Sequence, residues 1–130
     1  MVKGSVFEYP EGRRGVLSNA RSAMSLTAWI RLKVLLAHVT QNEPKDWSRK
    51  KCPDLRGGLF KLRPTLDNVE RRFFLWLDRD NGRIVVLLDA TEKDRKYKPA
   101  DAEKLARERM EDARQGKVKV RFYDWASDNT

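Results

Sequence analysis

The chain has 130 residues and a formal net charge of +9, with 28 Lys and Arg against 19 Asp and Glu, and this length predicts one domain with a core of its own. A single cysteine, Cys52, and a single histidine, His38, exclude an intramolecular disulfide, a thiolate metal cluster and a histidine-based metal site. No apolar run has the length of a signal-peptide core or a membrane span, so we expect a reduced cytoplasmic protein without metal or cofactor.

The positive charge is unevenly distributed along the chain. The excess of basic over acidic residues is +6 in residues 1–58, +3 in residues 59–98 and zero in residues 99–130. This distribution predicts a localised basic surface. Charge alone leaves RNA, DNA, an acidic protein partner and simple solubility open as explanations.

The N-terminal part predicts one strand followed by two helices. Residues 2–9 form the strand, which ends at Pro10, and residues 16–24 form a short helix. Ser25 is a suitable N-cap for a longer helix over residues 26–41. Because apolar side chains occupy most of the circumference of this longer helix, we predict that it is largely buried.

Residues 42–58 predict a polar connector, since they contain two prolines and a basic cluster. The cluster consists of Arg49, Lys50 and Lys51. Two interpretations stay open for it: a flexible loop that contacts phosphates, or a solvated loop without a partner.

Residues 59–63 predict a half-exposed strand. Phe60 and Leu62 point to one side of it, and Lys61 and Arg63 to the other, which is the two-residue period of a strand. The strand therefore offers two cations on one exposed face.

Residues 70–78 and 83–90 predict a central hairpin, because both are apolar at nearly every position. The intervening Asn-Gly pair is a strong signal for a two-residue type I′ turn. With that turn, Arg72 would face Thr91 across the hairpin.

The C-terminal part predicts a basic loop over residues 93–98, a helix between Pro99 and Gly116, and an edge strand within residues 118–123. The helix has one clean apolar stripe, made of Ala102, Leu105, Ala106, Met110 and Ala113. The residues after Trp125 are expected to be loose, while Tyr123 and Trp125 are candidates for closing the core or contacting a partner.

Together these elements predict an α+β fold. We expect a small, mostly antiparallel sheet of three to five strands, with two N-terminal helices and one C-terminal helix packed on it. The chain would be a single domain over residues 1–130, with its core in residues 2–115 and a C-terminal extension in residues 116–130.

The order of five segments resembles the RelE/ParE superfamily of type II toxins, within it the HigB-like, phage-derived branch. The segments are residues 59–63 (LFKLR), 72–76 (RFFLW), 84–88 (IVVLL), 93–99 (KDRKYKP) and 106–112 (ARERMED). The resemblance covers about residues 55–113. The chain departs from the family pattern at Asp89, where relatives have histidine, and at Asp94, where they have a second lysine.

The resemblance implies a metal-independent, ribosome-dependent mRNA endonuclease that inhibits translation. Its partners would be the ribosome, mRNA and a cognate antitoxin, a small helix-turn-helix protein that forms a hetero-oligomer with the toxin. Attack of a ribose 2′-oxygen on the adjacent phosphorus needs a proton acceptor, a proton donor and cations. The catalytic candidates are Lys61, Arg63, Arg72 and Tyr97. The RNA-binding candidates are Lys93, Arg95, Lys96, Lys98, Arg49, Lys50 and Lys51.

Two other functions remain open. One is a ParE-like protein that inhibits DNA gyrase by binding, and the other is a degenerate nucleic-acid-binding protein that keeps the fold without catalysis. The basic strand face and Tyr97 favour the endonuclease, whereas Glu92 and Asp94 favour the alternatives because carboxylates repel phosphate. Arg72 also has a purely structural interpretation, as the partner of Asp89 or Glu92 in a salt bridge.

Overall fold

The protein consists of a mixed, largely antiparallel sheet between two layers of helices in a computed structural model that describes residues 5–124. The helices are α1 (Val16–Ser22), α2 (Leu26–Gln41) and α3 (Ala102–Arg114), with a short 3-10 turn at Pro44–Asp46. Within residues 5–124 no helix is long and apolar enough to cross a membrane. The predicted start of the first strand, residues 2–4, and the segment from Trp125 onward lie outside the described residues.

The sheet has more strands than predicted. The strands are β1 (Val6–Glu8), β2 (Pro10–Glu11), β3 (Arg14–Gly15), β4 (Asp54–Arg56), β5 (Leu59–Leu62), β6 (Thr65–Leu66), β7 (Val69–Asp78), β8 (Arg83–Lys93), β9 (Lys96–Lys98) and β10 (Arg121–Tyr123). The main sheet has the order β10-β1-β8-β7-β5-β4, with β6 paired to β7 and β9 to β8, while β2 and β3 form a separate ribbon. Only the β1–β8 pair of the described sheet is parallel.

Two of the additional strands follow from tight turns that were not predicted from the sequence. Asp67-Asn68 and Asp94-Arg95 all have positive φ, which is the backbone of a two-residue type I′ turn. These turns fold β6 onto β7 and β9 onto β8. The segment predicted as a basic loop over residues 93–98 is therefore a hairpin end.

Both faces of the central strands are covered, as predicted for a near-continuous apolar pattern. On one face α1 and α2 pack against β7, with Leu17 and Trp29 in the same core as Phe73. On the other face α3 packs with Ala106 and Met110 in a second core. The apolar stripe predicted for α3 is confirmed, and α3 ends two residues before Gly116.

The predicted register of the β7–β8 hairpin is wrong. The strands are joined by a four-residue loop, 79–82, and Asp78 pairs with Arg83. The Asp78 carboxylate accepts a hydrogen bond from Arg83 Nε at 2.8 Å, which closes the hairpin outside the Asn-Gly pair. A bulge further along then shifts the pairing, so that Arg72 faces Ala90.

Helix α2 begins as predicted, because the Ser25 side chain accepts a hydrogen bond from Ala28 N at 3.1 Å. The prediction that this helix is largely buried is wrong. Leu26, Ile30 and Val34 are 57%, 45% and 64% exposed. Four-residue spacing puts these three side chains in one line, on a side of the helix that the sheet does not cover.

The connector between α2 and β5 is anchored on both sides of its basic cluster. Trp47 and Cys52 are buried, and Trp47 Nε1 donates to Asn42 O at 3.0 Å. Burial raises the pKa of the Cys52 thiol to about 12. Residues 49–51 between these anchors are exposed. The edge strand predicted near the C-terminus is present as β10, which pairs with β1.

Candidate functional site

Two predicted catalytic residues from separate hairpins are in contact on the α3 face of the sheet. Lys61 Nζ, from β5, donates a hydrogen bond to Tyr97 Oη, from β9, at 2.5 Å. The same Nζ lies 5.2 Å from the centroid of the Tyr97 ring. Buried Phe74 of β7 pairs with Lys61 in the sheet and meets the Tyr97 ring edge-on at 6.0 Å. Phe74 thus forms an apolar floor for a half-exposed Lys–Tyr pair.

The Lys–Tyr contact is suited to proton donation. An ammonium group has only donors, so Tyr97 Oη accepts from Lys61 and the phenolic hydrogen stays available for another acceptor. After that hydrogen has been given away, the ammonium group lies within hydrogen-bond distance of the negative oxygen and stabilises it. The pair can therefore act as a general acid whose conjugate base is stabilised in place.

Arg72 lies on the same face as this pair but its donors are already engaged. Its Nε donates to Glu92 Oε1 at 2.7 Å, and one terminal nitrogen lies 3.5 Å from Glu70 Oε1. The other terminal nitrogen donates to Arg71 O at 2.8 Å, and the residue is only 3% exposed. The predicted alternative of a salt bridge to Glu92 is confirmed. Arg72 therefore balances the negative charge of Glu92 on the face that carries Tyr97.

The predicted RNA-binding residues of the β8–β9 hairpin do not share a face with Tyr97. Lys93 pairs with Lys96, and Lys98 pairs with Thr91, whereas Tyr97 pairs with Glu92. Since neighbouring strand residues point to opposite faces, the three lysines lie on the side opposite to Tyr97. They are all exposed, as is Arg95 at the turn, which has a φ of 64°. The hairpin therefore presents phenol on one side and cations on the other.

The remaining predicted residues form a third group near α2. Arg63 follows β5 and its backbone N donates to Lys51 O at 2.8 Å, which brings it next to the basic cluster 49–51. Arg63 and Lys51 line a groove against α2, which packs on the sheet face opposite to Tyr97. Arg63 was predicted to lie beside Lys61 on one exposed strand face. Since β5 ends at Leu62, Arg63 lies beyond the strand and does not share that face.

Asp89, which stands where the resembled family has histidine, is an internally paired carboxylate. Its Oδ2 accepts from Arg71 Nη1 at 2.5 Å, and its Oδ1 is buried without a hydrogen-bond partner. Burial raises the pKa of Asp89 to about 6, Arg71 opposes this rise, and nearby Glu11 adds to it. Asp89 lies on the sheet face opposite to Tyr97 and takes no part in the Lys–Tyr contact.

Three features of the site were not predicted from the sequence: the contact of Phe74 with the Lys–Tyr pair, the position of Glu70 beside Arg72, and the position of Glu92 opposite Tyr97. The alternation in β7 places Phe74 two residues from Arg72, on the same face, and this signal was available from the sequence. The packing of Phe74 between Lys61 and Tyr97 was not available, because it depends on the pairing of four strands.

Comparison of the chain with known protein families, characterised proteins and solved structures gave no match.

Proposed function

We propose that the chain is the toxin of a type II toxin–antitoxin system, a RelE-like endonuclease that cleaves mRNA on the ribosome. The Lys61–Tyr97 contact is the observation that carries the proposal, because it joins two residues predicted separately as catalytic. Its partners are the ribosome, mRNA and a cognate antitoxin of the helix-turn-helix type. The proposed site of action is the cytoplasm.

In the proposed reaction a ribose 2′-oxygen attacks the adjacent phosphorus and displaces the 5′-oxygen of the next nucleotide. The products are a 2′,3′-cyclic phosphate and a free 5′-hydroxyl. Tyr97 gives its phenolic proton to the departing 5′-oxygen, and the Lys61 ammonium group stabilises the phenolate that remains.

The proton of the 2′-hydroxyl needs an acceptor, and Glu92 is the carboxylate best placed for this role. It lies directly opposite Tyr97 in the β8–β9 register and on the same face. Its Oε1 is held by Arg72, which keeps the carboxylate in one position. Glu92 thus gains one proton for each proton that Tyr97 loses, and exchange with water restores both groups.

The exposed cations of the β8–β9 hairpin supply the attraction for RNA in this proposal. Lys93, Lys96 and Lys98 neutralise backbone phosphates on one side of the hairpin while Tyr97 reaches the scissile bond from the other. Phosphate neutralisation releases counterions, so binding should weaken steeply with salt.

The proposal is tested in a reconstituted translation reaction in which mRNA 5′ ends are mapped with and without ribosomes. We expect cuts only with translating ribosomes. Tyr97→Phe and Lys61→Met should each lower the cleavage rate by about 100-fold, as loss of general acid catalysis does. Tyr123→Phe and Lys117→Met are matched controls that remove the same groups elsewhere and should leave the rate unchanged. Intact mRNA during active translation would contradict the proposal.

A second candidate, a ParE-like inhibitor of DNA gyrase that acts by binding alone, is favoured by one observation. Arg72 was expected to stabilise charge on phosphorus, yet its donors are engaged with Glu92, Glu70 and a backbone carbonyl. In a gyrase supercoiling assay this candidate predicts inhibition that survives Tyr97→Phe, whereas the endonuclease predicts no inhibition by either protein.

A further inference from the structure

Helix α2 presents an apolar line to solvent. Leu26, Ile30 and Val34 are 57%, 45% and 64% exposed, and they succeed one another at four-residue intervals. Single exposed apolar residues are common on protein surfaces, but a continuous line of them is typical of an interaction site.

The apolar line borders a groove of about 480 Å³ between α2 and the segment that follows β5. Apolar side chains from both sides contribute to it: Ile30, Val34, Leu35, Leu62, Pro64 and Leu66. Leu62 and Leu66 are buried members of the core, so the bottom of the groove is continuous with the rigid part of the fold. Such a groove accommodates the apolar face of a helix.

The charged residues that line this groove all have the same sign. Arg31, Lys51 and Arg63 are the three, and no carboxylate is among the lining residues. All three are exposed, and within residues 5–124 their side chains have no hydrogen bond or ion pair. Most other arginines of the sheet and of α3 are paired, as Arg72 with Glu92 and Arg109 with Glu11. The groove therefore combines an apolar floor with uncompensated positive charge.

We propose that this groove binds an amphipathic helix of another protein, with its apolar side chains on the Ile30–Val34 line and carboxylates facing Arg31, Lys51 and Arg63. Charge complementarity identifies the occupant as acidic. A second copy of the chain is a poor occupant, because it would bring the same cations and its own net charge of +9 to the groove. The proposal holds whether or not the chain cleaves RNA.

The test uses the full chain and two synthetic peptides of about five helical turns. Both carry leucine along one face; the first has glutamate on the flanks of that face and the second has lysine in the same positions. In fluorescence anisotropy titrations we expect the glutamate peptide to bind with a Kd on the order of 10 µM, and the lysine peptide at least about tenfold more weakly.

Val34→Glu should weaken binding of the glutamate peptide by at least about tenfold, because it puts a like charge on the apolar line. Phe122→Glu is the matched control: Phe122 is 60% exposed on β10, away from the groove, so binding should not change. Arg63→Glu should weaken the glutamate peptide and strengthen the lysine peptide. We expect all three variants to fold, because Val34, Phe122 and Arg63 are exposed. Thermal melts check this.

Three results would overturn the proposal. The first is no binding of the glutamate peptide at about 100 µM, and the second is equal binding of the two peptides. The third is a chain that dimerises in sedimentation experiments and becomes monomeric with Val34→Glu, since a second copy would then occupy the groove.

Discussion

Asp89 should make the stability of the protein fall as the pH rises, in contrast to the usual behaviour of a paired carboxylate. Burial raises its pKa to about 6, against an ordinary value near 4. The folded state therefore holds this proton more tightly than the unfolded state does. The stabilisation that comes from this tighter proton binding is fully present below about pH 4 and is lost as the pH rises through about 6.

The size of the effect follows from the difference between the two pKa values. Each pKa unit corresponds to about 1.4 kcal/mol, so ionisation of Asp89 removes about 3 kcal/mol of unfolding free energy by pH 7. Its side chain is only 17% exposed, so solvent screening reduces this figure little. Asn at this position keeps an oxygen that accepts from Arg71 and cannot ionise.

The assay is urea unfolding of the unsubstituted protein and Asp89→Asn between pH 4 and pH 8. The variant's unfolding free energy minus that of the unsubstituted protein should increase by about 2 kcal/mol from pH 4 to pH 7, since the unfolded state is already partly ionised at pH 4. Asp80→Asn, at an exposed loop position, is the control and should give a difference that is flat with pH. A flat or decreasing difference for Asp89→Asn would refute the reasoning, since the ion pair with Arg71 would then outweigh burial.

Three other consequences are measurable. Gly15→Ala should lower the free energy of unfolding, measured with urea, by about 2 kcal/mol, because a Cβ at this position would lie 2.3 Å from Cδ of buried Glu8. Unchanged stability would show that the Glu8 side chain can move. Cys52 should react with a thiol reagent at pH 8 only after unfolding, since its thiol is buried and its pKa is about 12, and rapid reaction of the native protein would contradict this. Arg72→Met should lower the free energy of unfolding by about 2 kcal/mol, because it leaves the partly buried Glu92 carboxylate without its cation, and adding Glu92→Gln should restore most of the loss; additive losses would show that the two are uncoupled.

The elements that depend on local periodicity could be predicted from the sequence. Both ends of α2 match the prediction, because Ser25 supplies a cap and residues 26–41 are continuous helix. The buried stripe of α3 also matches, since one clean apolar face leaves a single way to pack. Residue pattern thus determined which segments form helices and where the longest strands lie.

Strand pairing could not be predicted in the same way. The hairpin between β7 and β8 closes at Asp78 because its carboxylate bonds to Arg83, and a side-chain contact of that kind leaves no periodic signal. The exposed side of α2 could not be predicted for a related reason. The sequence shows how apolar the helix is, but how much of the helix the sheet covers depends on the whole fold.

The candidate site was predictable in its residue types and only partly in its arrangement. Alternation placed Lys61 on an exposed strand face, and the basic segment pointed to Tyr97. Lys61 and Tyr97 are 36 residues apart in the sequence, and their contact depends on the registers of three strand pairs. Arg72 was predicted either to stabilise charge on phosphorus or to form a salt bridge. Its salt bridge to Glu92 depends on the bulge that pairs Arg72 with Ala90.

The central claim is that Tyr97, assisted by Lys61, donates the proton to the leaving oxygen. The most direct measurement is the single-turnover cleavage rate of ribosome-bound mRNA, with the 3′ termini of the products identified chemically. We expect 2′,3′-cyclic phosphate ends and a cleavage rate that falls about 100-fold in Tyr97→Phe, while the rate of Tyr123→Phe is unchanged. Equal rates for the two variants, or uncut mRNA on every ribosome, would contradict this claim.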